Sequence, residues 1–149
     1  MLNFDFDSEL FNMARDRYHQ LVKNALIAEG WTVTDDPLYI PTFKRTVQVD
    51  LGAERLIGAE KANLKIAVEI KSFIGLSEIH EFYKALGQFN YYQLAIEETQ
   101  PERILFLAVP LDIYDTLFEE PLTQKVIERF GLKIIVYHVQ EEKIEKWIR

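Results

Sequence analysis

The sequence contains no cysteine, and this absence excludes several kinds of site. A chain without cysteine has no disulfide scaffold, no thiolate zinc site and no cysteine nucleophile. Its three histidines, His19, His80 and His138, are scattered without metal-ligand spacing, which argues against a zinc site. Neither the glycine-rich loops that bind nucleotide phosphates nor the G-x-S-x-G elbow of serine hydrolases is present. The sequence therefore argues against thiol, zinc and nucleotide-driven chemistry.

Long apolar segments are also absent, since no run approaches the roughly 20 residues that span a bilayer. Residues 1–7 are acidic and lack the basic-then-apolar order of a signal peptide. The chain has 149 residues, 48% hydrophobic and 28% charged, which suits one globular domain rather than two. We therefore expect a cytoplasmic protein without a membrane anchor. It would form a single domain over residues 1–149, with a loose arm over residues 1–7.

The net charge of −7 is unusual for a protein that binds nucleic acid, because lysine and arginine supply most of the affinity for phosphate. Local charge matters more than the total, however. Residues 44–71 carry six basic and four acidic side chains, whereas the remainder of the chain is strongly acidic. If the protein contacts DNA, we expect it to do so through this middle segment or with the help of a partner.

Hydrophobic periodicity predicts an α/β domain with a mixed sheet flanked by helices, in the order α-β-β-β-α-β-α-β-α. Helices are expected over residues 8–29, 78–97 and 141–149, with one or two more over 111–130, interrupted by Pro121. Strands are expected over residues 31–40, 46–54, 64–71, 103–109 and 132–139. The first strand should be irregular and near an edge, and the apolar strand 103–109 should be covered on both faces. Gly30 and Ser77 are expected to cap the first and second helices.

The strands 46–54 and 64–71 should form a hairpin, because both alternate and turn residues separate them. A turn centred near residues 59 and 60 places Asp50 opposite Glu69, and Glu54 opposite Lys65 as a structural ion pair. One face of the strand over residues 46–54 is expected to be wholly apolar, with Val47, Val49, Leu51 and Ala53.

Asp50 and Glu69 are therefore predicted to bring two carboxylates together. Like charges opposed in a sheet are destabilising unless a cation lies between them, and Mg²⁺ suits carboxylate oxygens. Lys71 projects from the same face, where it could polarise a water nucleophile or balance charge on a phosphate. The alternative is that these alternating charges mark an ordinary solvated strand face.

Asp50 followed by Glu69-Ile70-Lys71, between an N-terminal helix and a long helix, resembles the PD-(D/E)XK nuclease superfamily. The resemblance implies a restriction-endonuclease-like core in which Asp50 and Glu69 bind the metal. It also implies that the Ile70 carbonyl adds a ligand and that Lys71 assists the attacking water. Val49 stands where the named motif has proline, at a position that varies widely.

Two accessory positions extend this resemblance. Gln88 and Tyr92 follow the Q-x-x-x-Y pattern of RecB-like nucleases, and at i, i+4 they share one helix face. Asp16 lies on the first helix, which in some superfamily members lends a residue to the metal site. The alternatives are a polar helix face with a packed tyrosine, and a solvated face around Asp16.

Four stretches carry a further resemblance, residues 14–19, 49–54, 66–73 and 85–93. They run through nearly the full chain, which resembles the XisH family, the fdxN-element excision controlling factors of filamentous cyanobacteria. The resemblance implies programmed DNA excision together with a site-specific recombinase and a companion excision factor. Two hypotheses follow: a Mg²⁺- or Mn²⁺-dependent DNA endonuclease, possible as a homodimer that cuts two strands, and a non-cleaving regulatory or assembly factor derived from a nuclease.

Overall fold

A six-stranded mixed sheet forms the centre of the computed structural model, which describes residues 3–57 and 62–149. Its strands are β1 (Thr32–Asp35), β4 (Leu51–Ile57), β5 (Ala62–Ile70), β6 (Arg103–Pro110), β7 (Ile134–His138) and β8 (Lys143–Ile148). They lie in the order β1-β4-β5-β6-β7-β8. The pairs β5–β6 and β6–β7 are parallel and the others are antiparallel. A separate two-stranded sheet pairs β2 (Leu38–Pro41) with β3 (Thr46–Val49).

The helices are α1 (Asn3–Ala28), α2 (Glu78–Thr99), α3 (Leu111–Ile113) and α4 (Pro121–Phe130), and α3 continues as a π-helical turn over Tyr114–Phe118. The predicted caps are confirmed. Gly30 adopts a φ of 95° after α1, and the Ser77 side chain accepts the amide of His80 at the start of α2. Pro121 begins α4, where its missing N–H costs nothing. Within the described ranges, no helix is long and apolar enough to cross a membrane.

Two apolar clusters cover the two faces of the central sheet. On one face α2 contributes Phe82 and Phe89, which pack with β6 residues such as Leu107. On the other face α1 contributes Val22 and Leu26, which pack with alternate residues of β4, β5 and β6. The apolar strand β6 is therefore covered on both sides, as its composition predicted.

The C-terminal segment is the clearest departure from the sequence prediction. Residues 141–149 were expected to form a helix, but Lys143–Ile148 pairs with β7 as an antiparallel strand. The Trp147 ring stacks on Trp31 at 5.6 Å between centroids and meets Phe106 edge-on at 5.1 Å. Its indole N–H donates to the Glu29 carboxylate over 3.0 Å. These long-range contacts outweigh a local pattern that is compatible with a helix.

Two predicted strands are each divided in the structure. The strand over 31–40 separates into β1, at an edge as predicted, and β2 in the small sheet. The strand over 46–54 bends at Asp50, so Val47 and Val49 join the α2-side cluster while Leu51 and Ala53 join the α1-side cluster. The single apolar face expected from alternation was therefore wrong, because the bend reverses which side of the sheet each position faces.

The remaining differences concern the ends of elements. Helix α1 begins at Asn3, where a loose arm over residues 1–7 was expected, and residues 1 and 2 lie outside the described residues. The predicted turn near residues 59 and 60 also lies outside them. The element order becomes one helix, five strands, α2, β6, α3 with its π-helical turn, α4 and two strands, rather than α-β-β-β-α-β-α-β-α.

Candidate active site

The register of the hairpin between β4 and β5 is the one that the sequence predicted. Leu51 faces Val68, and Glu54 faces Lys65 with 3.8 Å between the carboxylate and the ammonium nitrogen. The next position beyond Leu51–Val68 brings Asp50 against Glu69. Because β4 begins only at Leu51, these two residues lie where the ladder opens.

Two hydrogen bonds link Asp50 to the end of β5, one to Glu69 and one to Ile70, in place of the ladder. The backbone N–H of Asp50 donates to Glu69 Oε1 over 3.3 Å. The N–H of Ile70 donates to Asp50 Oδ2 over 2.7 Å. The bend at Asp50 therefore turns its carboxylate back onto β5, and each carboxylate is left with one oxygen outside this pair of bonds.

Lys71 completes the cluster from the end of β5. Its Nζ lies 3.3 Å from Glu69 Oε2, and its backbone N–H donates to the Ala108 carbonyl over 2.9 Å. Pro110 lies two residues beyond Ala108 on β6, and it has no N–H to donate to the Lys71 carbonyl. The Tyr137 hydroxyl donates to that carbonyl instead, over 2.8 Å. Lys71 is thus held by its neighbour β6 and, across β6, by Tyr137 of β7.

Burial and neighbouring charge strongly perturb Glu69, which is only 7% exposed. Burial raises the pKa of its carboxyl, and the negative charge of Asp50 raises it further. Lys71 opposes this rise through its charge and its hydrogen bond, and the pKa is about 7. An ionised Glu69 is therefore costly at neutral pH unless more positive charge is supplied.

The accessory residues of α2 lie on the side of the sheet that Glu69 faces. Glu69 shares strand parity with Ala67, which belongs to the α2-side cluster, and Tyr92 packs against the same cluster. The pKa of Tyr92 is raised by burial and then by the charges of Glu69 and Asp50. One turn earlier, Gln88 carries a buried Oε1 without a hydrogen-bond partner in the described part of the chain.

A cleft of about 670 Å³ opens beside the cluster, between α1, the start of α2 and the ends of the strands. Asp50, Ile70 and Lys71 line it together with Asp16, which is exposed on α1, whereas Glu69 lies behind this wall. The cleft carries mixed charge, with basic residues Arg15, His19, Lys71 and Lys84 and acidic residues Asp16, Asp36, Asp50 and Glu81.

Sequence reasoning assigned no role to most of these charged residues. Among the basic residues expected in the middle segment, Lys71 lines the cleft, but Arg15, His19 and Lys84 come from α1 and α2. Only the spacing of His19 and Lys23 at i, i+4 hinted at a shared helix face, and nothing in the sequence connected that face to Asp36. The structure makes this connection by placing Asp36 after β1, against α1.

A metal ion at this point would have two carboxylates and one carbonyl as protein ligands. The N–H and C=O of a strand residue point to the same side, so the Ile70 carbonyl faces the side from which its N–H reaches Asp50. The β4 ladder has already ended there, at Leu51–Val68. No cluster of three or more histidine, cysteine or acidic side chains suited to a metal occurs within residues 3–57 and 62–149. Two carboxylates and one carbonyl are all oxygen ligands, a set that suits Mg²⁺, which completes its coordination with water.

Comparison with known proteins gives one consistent result. The sequence model of a family described as "XisH protein" matches residues 13–145. A crystal structure of an XisH family protein from Nostoc punctiforme is 42% identical, with a TM-score of 0.81, and covers 89% of this chain and 99% of that one. A crystal structure of an fdxN element excision controlling factor protein from Anabaena variabilis is 41% identical, with a TM-score of 0.82, and covers 90% and 99%. No curated protein sequence matches the chain.

Proposed function

The chain belongs to the XisH family, and we propose that it is a Mg²⁺- or Mn²⁺-dependent DNA endonuclease that acts in the programmed excision of a DNA element. The observation that carries the nuclease part is the contact between Asp50 and the buried Glu69 carboxylate, with Lys71 beside it. Two opposed carboxylates, one of them only 7% exposed, favour a cation between them. The excision part rests on the name of the similar Anabaena variabilis protein.

We assign the fold to the restriction-endonuclease-like group of the PD-(D/E)XK superfamily. Three positional matches support this assignment. Asp50 stands at the bend that precedes β4. Glu69 and Ile70 end β5, the next strand along the chain and the antiparallel neighbour of β4, and Lys71 follows directly. The following helix, α2, carries Gln88 and Tyr92 on the side of the sheet that Glu69 faces.

In this proposal the carboxylates of Asp50 and Glu69 and the carbonyl of Ile70 hold the metal. The bound metal would supply a water of lowered pKa and positive charge for the developing negative charge on the phosphate. Lys71 lines the cleft, where its ammonium orients the attacking water and neutralises a phosphate oxygen. The hydrogen bond from Tyr137 keeps the Lys71 backbone at a fixed position during this task.

Partners follow from the same proposal. DNA is the substrate, and a site-specific recombinase and a companion excision factor act with the protein. Pairing of two copies would let one active site cut each strand of a duplex. The described residues do not demand such a dimer.

A second function is favoured by one specific observation, the acidic net charge of the chain together with the mixed charge of the cleft. A net charge of −7 and a cleft with as many acidic as basic residues attract a polyanion weakly. A regulatory or assembly factor that binds a companion excision protein without cutting DNA would have no need for a basic surface. The Asp50–Glu69–Lys71 cluster would then be a retained part of the fold.

Cleavage assays with matched variants separate the two functions. We would incubate the purified protein with supercoiled plasmid and branched DNA, with Mg²⁺ or Mn²⁺, beside Glu69→Ala and Lys71→Ala. Glu54→Ala serves as control, because it also removes a paired carboxylate from the same hairpin but lies away from the cleft. Wild type and the control should cut, and both site variants should lose at least ~100-fold in rate.

Three outcomes are decisive. Cleavage that persists in both site variants refutes the assignment of Glu69 and Lys71. Loss of cleavage in Glu54→Ala as well would point to the stability of the hairpin rather than to the site. No cleavage of any substrate by a protein that still binds its companion factor favours the regulatory function.

A further inference from the structure

A second ionic group lies in the same cleft as Asp50 and Lys71. His19 Nε2 lies 2.7 Å from Asp36 Oδ1, and Lys23 Nζ lies 2.8 Å from Asp36 Oδ2. The side chains of His19 and Asp36 are 28% and 31% exposed, and both residues line the cleft. The imidazole is therefore held at the cleft wall by a carboxylate that follows β1.

The Asp36 carboxylate determines which nitrogen of the ring faces away from it. Burial raises the pKa of Asp36, but hydrogen bonds and charges from Lys23 and His19 outweigh this and lower it below its usual value. An ionised carboxylate accepts the Nε2 proton, so Nδ1 is left without a partner among the described residues. A carboxylate that fixes one histidine nitrogen so that the other transfers a proton is a recurrent arrangement in hydrolases.

We propose that His19 is a further catalytic residue, which donates the Nδ1 proton of its imidazolium to the leaving oxygen of a phosphodiester in the cleft. Asp36 is its positioning residue. This inference rests on the proposed nuclease function. The attacking water releases a proton to solvent as its oxygen bonds to phosphorus. The bond from phosphorus to the leaving oxygen then breaks, and its electron pair stays on that oxygen. The oxygen takes the Nδ1 proton, and the neutral imidazole regains a proton from solvent.

The same contact has a purely structural reading, namely that Asp36 ties the chain after β1 to α1. Lys23 allows the structural and the catalytic role of this contact to be tested separately, because it binds the other oxygen of the same carboxylate from the same helix. Lys23→Gln removes one ion pair from Asp36 and leaves His19 in place. His19→Asn removes the other and keeps a donor group close to the position of Nδ1, but that group cannot deliver a proton.

The test compares two leaving groups. The alkoxide expelled from DNA needs a proton, whereas p-nitrophenolate, expelled from thymidine 5′-(p-nitrophenyl phosphate), leaves as a stable anion. We expect His19→Asn to lower kcat on DNA by ~100-fold and on the nitrophenyl ester by less than about threefold. Asp36→Asn should show the same selectivity to a smaller degree. Lys23→Gln should match wild type on both substrates within about twofold.

The result that overturns the inference is an equal loss on both substrates, or no loss on either, in His19→Asn. If Glu69→Ala is inactive while His19→Asn is fully active, this inference fails and the proposed function stands. If the wild type hydrolyses neither substrate, the proposed function and the acid role fail together.

A readout without turnover checks the contact itself. In protein labelled with ¹⁵N at histidine, with Ca²⁺ in place of Mg²⁺, an oligonucleotide that resists cleavage should shift the Nδ1 signal of His19 and leave those of His80 and His138 unchanged. An unmoved His19 signal at saturating oligonucleotide would also refute the inference.

Discussion

The hydroxyl of Tyr137 donates a 2.8 Å hydrogen bond to the carbonyl oxygen of Lys71, and so links β7 to the end of β5 across β6. Tyr137 is fully buried, and its ring packs against Tyr18 of α1 with 6.1 Å between centroids. Burial is the main reason why the pKa of Tyr137 is raised, so the phenol is a hydrogen-bond donor at all relevant pH values. The residue next to the candidate metal ligands is thus positioned from the far side of β6.

Tyr137→Phe tests this positioning role. The substitution keeps the ring but leaves the Lys71 carbonyl without its donor, because Pro110 cannot supply one. We expect a loss of about 1–2 kcal/mol in the free energy of unfolding, measured by urea denaturation. DNA cleavage should fall, though less than in Lys71→Ala. Tyr114→Phe, another buried tyrosine outside the cleft, is the control, and an equal loss of cleavage there would contradict the positioning role.

The raised pKa of Glu69 predicts a pH dependence of stability. The ordinary value is 4.5 and the folded value is about 7, so between these pH values the unfolded chain releases a proton that the folded chain keeps. Stability contributed by the protonated carboxyl is therefore complete below pH ~4.5 and is lost as the pH rises through about 7, by on the order of 3 kcal/mol. In metal-free buffer, Glu69→Gln should lack this part of the slope. If the free energies of unfolding of wild type and Glu69→Gln changed by the same amount between pH 4.5 and 8, this prediction would be contradicted.

Addition of a divalent cation should recover the stability that ionised Glu69 costs. At pH 8 we expect Mg²⁺ or Mn²⁺ to raise the melting temperature of the wild type, because the ion binds the folded state and compensates both carboxylates. EDTA should reverse the rise, and Asp50→Asn or Glu69→Gln should remove it. Glu54→Gln is the matched control. If the control lost the rise and the site variants kept it, the metal would lie elsewhere.

Local patterns predicted the parts of this protein that are held by local contacts. The Glu54–Lys65 register followed from alternation in two strands that are close together in the sequence, and the caps at Gly30 and Ser77 followed from residue chemistry. The bend at Asp50 did not, because the hydrogen bond that accompanies it comes from Ile70, twenty positions away. Alternation assumes a continuous strand, so it placed Val49 and Leu51 on one face when they lie on opposite faces.

The residues of the candidate site also fall into two groups, those that the sequence predicted and those that it did not. Asp50, Glu69 and Lys71 were predicted because one hairpin carries all three, and the structure brings them together. The pairing of His19 with Asp36 joins a helix to a later loop, and no spacing rule connects two such positions. Residues contributed by the hairpin were therefore predictable, whereas those brought to the cleft by tertiary packing were not.

The last strand offers a test of how much the C-terminus contributes to the fold. Trp147 of β8 stacks on Trp31, meets Phe106 edge-on and donates to Glu29, the residue that follows α1, so it joins the end of α1 to the sheet. Trp147→Ala should lower the free energy of unfolding by roughly 2–4 kcal/mol, since it removes a large, partly buried ring and leaves a cavity. Circular dichroism during urea denaturation measures this without using tryptophan fluorescence. Glu145→Ala, exposed on the same strand, should change stability by less than about 0.5 kcal/mol. If both variants matched the wild type, β8 would contribute little to stability, and the docking of α1 through Trp147 would have to be rejected.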